Sequence, residues 1–383
     1  MIRKYSGKMG SVFLYLFFFL CLLPIGFHIY KHPDYNFDML GYMALVVRMD
    51  QTTAVDQVHN ITYSNAKQNI PEEEYKKLTT TPPFRQKFAS DPVEFQKLLP
   101  IYIVKPLYLW MCYLFYKAGA SLTIATVLPS LLSFFLIGIF LFHWLKKYLQ
   151  PVVAFLGALL IMYSSFVTNV ARLSTPDCLS AFFLFVAAYY VLERRHMILM
   201  FLFFLLSILT RVDNLIICFF VISFLSFDKK LRLLYKKQYF FMLLVLVITY
   251  LCIMLQVRQF GWSIFYYSQY ARHIDFSKDF KQAVSSSSYI SLVYSKLVTA
   301  VTAFNFSFFM FIAMLIMGYP LRRFKNFTFD QLFLLLMVAT ILFRFLLLPD
   351  LSDRFYLGFY LIIIILLVRR VVFQTANANN ENH

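Results

Sequence analysis

The chain has 383 residues, 60% hydrophobic and 20% aromatic, with only 14% charged and a formal net charge of +17. Apolar stretches of about 18 residues or more recur along its length, more than a soluble core can absorb, so lipid is the solvent for most of the protein. Five scattered cysteines without a CxxC pair (Cys21, Cys112, Cys178, Cys218 and Cys252) argue against a disulfide framework or a zinc ribbon.

The first apolar run, 11–30, follows Arg3, Lys4 and Lys8 as a signal peptide would. It lacks a small-x-small cleavage site and reads as a retained span. A long outer loop follows over 31–121, with charged residues and turn formers in its middle and aromatic amphipathic helices at both ends. Within it, 99–119 is apolar enough to suggest a span. Counting it as one would reverse every later loop, and Lys105-Pro106 suits a boundary better than a bilayer centre, so it reads as an interfacial helix on the outer leaflet.

Further spans are predicted at 122–145, 151–169, 178–192, 197–211, 214–227, 239–256, 294–317, 329–347 and 355–369, about ten helices in all. This threading gathers Arg3/Lys4/Lys8, Lys146/Lys147, Arg194/Arg195, Lys229 through Lys237, Arg322/Arg323/Lys325 and Arg369/Arg370 on one side. By the positive-inside rule that side, with both termini, is cytoplasmic. A second sizeable outer loop is expected at 257–293, and the tail 371–383 is expected to be disordered. The module therefore covers 1–370. No internal repeat is visible, which weakens a transporter built from inverted repeats.

Ionisable residues next to apolar runs are costly and stand out. Asp38, in "FDMLGYMALVV", falls in the first turn of a short surface helix, where it is either a dipole-favoured acid or a catalyst. Asp177, in "ARLSTPDCLSAFF", again opens a helix, with Ser174 or Thr175 as candidate caps and Pro176 in the first turn. Arg211 and Asp213 stand between two apolar runs. Arg344 lies inside a span, with Asp350, Asp353 and Arg354 at its outer end.

The threading puts Asp38, Lys105, Asp177, Arg211, Arg344 and Arg354 at one membrane face. Carboxylates beside fixed cations at a lipid–water boundary suit a lipid-linked phosphate: the cations hold the phosphate and a carboxylate receives a proton. No HExxH, GxSxG, P-loop or Rossmann signature appears.

These segments resemble the C-type (GT-C) membrane glycosyltransferases, in the branch of protein O-mannosyltransferases and of transferases that add aminoarabinose to lipid A. The resemblance is carried, in order, by "FDMLGY", "KPLYLW", "ARLSTPD" and "DRFYLGFYLI". It implies an all-α GT-C-like membrane fold and inverting transfer of a sugar from a polyprenyl phosphate to a lipid, glycan or protein acceptor outside the cytoplasm. On this resemblance Asp38 is the general base and Asp177 the second acid. Lys105, Arg211, Arg354 and Arg344 meet the donor phosphate, and Tyr42, Tyr108 and Tyr356 line the pocket.

Two positions depart from the family pattern: Asp38 is followed by Met39 rather than Glu, and Asp177 stands without Asp-x-Asp. No obligatory cofactor and no nucleic-acid partner are expected; His273 and Asp275 keep a divalent metal open. Compact length and the lack of organelle signals lean toward a bacterial inner membrane. A polysaccharide polymerase or ligase using lipid-diphosphate glycans, or a lipid-linked sugar transporter, are the alternatives.

Overall fold

The computed structural model describes residues 2–51, 53–194, 196–227, 229–257, 286–302 and 328–381. His273, Asp275, most of 257–293 and part of the expected 294–317 span lie outside them. The described residues are helical, without a named strand. The chain begins with α1 (Ile2–Lys31), α2 (Asp38–Asp50), α3 (Val55–Asn69), α4 (Glu72–Thr80), α5 (Pro83–Ser90), α6 (Pro92–Leu98), α7 (Pro100–Ile103) and α8 (Pro106–Lys117). It continues with α9 (Leu122–Leu145), α10 (Pro151–Met162), α11 (Ser165–Arg172), α12 (Asp177–Tyr189), α13 (Met197–Thr210), α14 (Leu215–Phe227) and α15 (Lys229–Leu255). Three further helices cover Ser286–Thr302, Phe329–Leu347 and Leu357–Glu381.

Proline punctuates the first loop. Pro83, Pro92, Pro100 and Pro106 each sit in the first turn of a helix, where the missing N–H costs nothing. The charged middle of this loop, expected to be rich in turns, is therefore a series of short helices. The expected single interfacial helix at 99–119 is two pieces, with the α6–α7 segment bent by 111° from α8 at Lys105. A comparable break divides the expected 151–169 span: α10 and α11 meet at 54°. There Ser164 takes an extended backbone and α11 restarts, with Thr168 Oγ1 donating to the Ser164 carbonyl at 3.1 Å.

Two apolar cores result among the described residues. One is built by α2–α8 around Tyr42, Tyr102, Tyr108 and Phe95. The larger one joins α1, α9–α15 and the Phe329–Leu347 and Leu357–Glu381 helices. At its centre α12 packs against α9, α13 and the last helix, and it is apolar on nearly every side, as a helix enclosed by others must be. Close approach there depends on small residues: a Cβ added at Gly358 would lie 3.2 Å from the Ala181 Cα.

Val12–Lys31, Leu122–Leu145, Lys237–Leu255 and Phe329–Leu347 are long and apolar enough to cross a membrane, and the two bent pairs raise the number to six if each counts as one span. Phe13, Phe27, Leu160 and Phe240 on such helices are exposed, as lipid-facing side chains would be. The helices at the expected spans 178–192, 197–211 and 214–227 are shorter, with 13, 14 and 13 residues. The 13-residue α12 rises only about 20 Å, although a π-helical turn, Tyr190–Arg194, extends it. The last helix continues to Glu381 where a disordered tail is expected; no Gly or Pro follows Arg370 to stop it.

Candidate functional site

The two cores meet at a cavity of about 550 Å³. The extended linker before α2 is pinned beside the α11–α12 junction: the Asp34 amide donates to the Arg172 carbonyl at 2.9 Å, and Arg172 Nε donates to the His32 carbonyl at 2.6 Å. This fixes the starts of α2 and α12, and with them Asp38 and Asp177, at the same opening. Eight of the nine residues given a role by the resemblance line it: Asp38, Tyr42, Lys105, Asp177, Arg211, Arg344, Arg354 and Tyr356. The ninth, Tyr108, lies just behind, edge-on to Tyr42 at 4.7 Å, with its hydroxyl donating to the Thr126 carbonyl at 2.6 Å.

On one side of the cavity the charges form a buried chain. Arg211 pairs with Asp177 and reaches Asp213 with two donors, Nε at 3.1 Å and Nη2 at 3.0 Å. Arg344 pairs with the same Asp213 and donates to the Phe355 carbonyl. Two guanidiniums and two carboxylates make this row neutral. Thr175, a candidate helix cap from sequence, instead donates to Asp177 Oδ2 at 2.7 Å, and no side chain caps α12. With one oxygen on Arg211 and the other on Thr175, and its side chain 2% exposed, Asp177 orients Arg211. Arg344 does not snorkel: it is buried, and the Phe355 ring lies beneath Arg211, Arg354 and Arg344 at 4.5, 4.6 and 5.5 Å.

Across from this row Asp38 stays open to the cavity. Its carboxylate accepts from Arg354 Nη1 at 3.2 Å and from the Tyr102 hydroxyl at 3.3 Å, yet 32% of its side chain is exposed. Burial deep in the opening pushes its pKa up, but the charges of Arg354 and Lys105, with hydrogen bonds from Arg354 and Tyr102, outweigh it and hold the carboxyl below the usual range. Lys105 Nζ donates to the Tyr42 hydroxyl at 2.6 Å and stands over the Tyr42 and Tyr102 rings at 5.1 and 5.4 Å. Burial lowers its pKa to about 8, helped by Arg211 and Arg354 and opposed by Asp38 and Asp213.

The chain matches no protein family, no curated protein and no solved structure.

Chemical capacity has to be read from the side chains themselves. The arrangement offers an ionised carboxylate open to the cavity, two cations beside it, and apolar walls from Leu215, Ile216, Leu347 and Leu348. That suits an amphiphilic anion. Among the described residues no three His, Cys, Asp or Glu side chains gather as a metal set.

Sequence reading missed Arg85, Tyr102 and Tyr250, which also line the cavity. Tyr102 lies 64 positions from Asp38, and one tyrosine among 26 carries no mark. Arg85 sits among the many charges of the first loop, where a cavity-lining cation looks like a solvated one.

Proposed function

We propose that this chain is a membrane glycosyltransferase with a GT-C-like fold, moving a sugar from a polyprenyl phosphate to an acceptor hydroxyl outside the cytoplasm. The observation that carries the reading is the juxtaposition of open Asp38 with Lys105 and Arg354 in a cavity that also presents the apolar walls of Leu215, Ile216, Leu347 and Leu348. Apolar walls take the first isoprene units, and the cations take the phosphate.

Reaction follows from those positions. The acceptor oxygen attacks C1 of the donor sugar and forms the new C–O bond, while its proton passes to an oxygen of Asp38. The bond between C1 and the phosphate oxygen breaks, and its electron pair stays on the phosphate. Lys105 and Arg354 stabilise the charge that develops there. Attack opposite the leaving group inverts the anomeric centre.

Arg354 has a double task. It holds Asp38; an incoming phosphate competes for its donors, and the carboxylate it releases becomes more basic. Arg211 and Arg344, saturated by carboxylates, shape the phosphate pocket through Phe355 and the field they set. Positioned proton transfer contributes about 10²–10⁴-fold to such reactions. Asp38→Asn should therefore lower transfer in membranes by at least about 100-fold at unchanged expression. Full activity in that variant would remove the mechanism.

A further inference from the structure

Among the described residues five cations line the cavity: Arg85, Lys105, Arg211, Arg344 and Arg354. Arg211, Arg344 and Arg354 have carboxylate partners. Lys105 and Arg85 have none among the described residues, and the proposed reaction uses only Lys105.

Arg85 lies on α5, at the end of the cavity built by the first loop. Its Nη1 donates to the Lys77 carbonyl at 2.9 Å and its guanidinium stands over the Phe37 ring at 5.1 Å. Its Nε is shielded from solvent and has no partner among the described residues. Phe37, Phe84 and Phe88 interlock beside it with ring centroids 5.8 to 6.0 Å apart. A cation partly withdrawn from water without a counter-ion is costly, and it is retained where a ligand supplies the charge. One contact and one ring already fix the fork, so little freedom is left to lose on binding.

The electrostatic surroundings of the two unpaired cations differ. Lys105 feels Asp38, Arg211, Arg354 and Asp213, the groups of the phosphate pocket. Arg85 is partly withdrawn from water and feels Asp38 and Tyr102. Its contacts, the Lys77 carbonyl and the Phe37 ring, belong to the first loop rather than to the buried charge row.

We propose that Arg85, with Phe37, Phe84 and Phe88, forms a second subsite for an anionic saccharide, which presents a carboxylate or phosphate to the guanidinium and a hydroxyl to Asp38. Calling this ligand the acceptor rests on the proposed transferase activity; the binding itself does not. Planar forks suit both anions, and aromatic rings beside the fork suit the apolar face of a sugar.

The test uses the full chain in lipid nanodiscs and ligand-observed NMR with three probes: glucuronate, glucose 6-phosphate and neutral glucose. At least one acidic sugar should bind tenfold or more tightly than glucose, and which one does separates carboxylate from phosphate. Arg85→Gln should abolish that preference and Arg85→Lys restore part of it, reporting charge rather than a collapsed loop. Binding of plain polyprenyl phosphate should change less than twofold in Arg85→Gln and fall tenfold or more in Lys105→Gln. Equal binding of all three sugars would overturn the proposal, as would loss of polyprenyl phosphate binding in Arg85→Gln matching that in Lys105→Gln. None of these readouts requires sugar transfer, so their outcome stands apart from that of the Asp38 variant.

Discussion

Asp213 is the hinge of the buried charge row, and removing its charge should strand a cation. Its oxygens accept two donors of Arg211 and one of Arg344, and the three side chains are 14%, 13% and 5% exposed. Asp213→Asn leaves Arg211 with Asp177 but leaves Arg344 facing only the Phe355 carbonyl and two aromatic rings. Breaking a buried pair on one side typically costs about 3–5 kcal/mol; the residual amide bonds and the second partner of Arg211 favour the lower end. Arg344→Met should cost less, since Asp213 keeps both bonds to Arg211. In the double variant no stranded guanidinium remains. Its destabilisation should therefore fall short of the sum of the single effects by roughly 1–3 kcal/mol, the range of contacting charged pairs. Reversible unfolding of the purified chain in mixed micelles, followed by tryptophan fluorescence, measures all four corners of the cycle. Additivity within about 0.5 kcal/mol would show that the two residues do not share a buried charge, and would refute the reasoning.

Three further outcomes are expected. Lys105 is cationic below a pKa of about 8, so kcat/KM for the donor should decline as pH rises through that value, well before an ordinary lysine titrates; Lys105→Arg should remove this basic limb. Bound phosphate favours the ammonium, so the same limb in kcat should lie at higher pH. Gly41→Ala would drive a methyl group into the buried Tyr102 ring, displacing the hydroxyl that holds Asp38; the expected loss is about 1–3 kcal/mol of stability together with reduced turnover, measured on the same preparation. Glu193 ties Trp144, Lys147, Tyr148 and Arg369 together, so Glu193→Ala should cost about 3 kcal/mol or more in the micelle unfolding assay while leaving donor binding within twofold.

Much of the site was legible because lipid makes charge conspicuous. Asp38, Asp177, Arg211 and Arg344 each interrupt or border an apolar run, and the cost of placing them there marks them. Their grouping followed from threading alone, and the cavity brings residues as distant as Asp38 and Arg354 together. What the pattern could not carry was partner choice. A threonine two residues before an acid looks like a cap, and only the α12 geometry makes Thr175 a donor to Asp177 instead. Asp177 looked as available as Asp38; burial and two engaged oxygens separate them. Arg85 was hidden for the opposite reason, since charge in a hydrophilic stretch costs little and signals nothing.

Helix boundaries show the same division. Leu122–Leu145 was readable to the residue, because a span's length is set by the bilayer. The breaks at Ser164 and Lys105 were not readable as bends, because bend angles depend on what each half packs against.

The most direct measurement adds radiolabelled polyprenyl-phosphate sugars, one at a time, to membrane vesicles holding the chain and follows each labelled donor. One donor should be consumed, with the label recovered on an acceptor in the inverted anomeric configuration, and consumption should drop by at least about 100-fold with Asp38→Asn. A panel left untouched, or equal consumption by that variant, would contradict sugar transfer at this cavity.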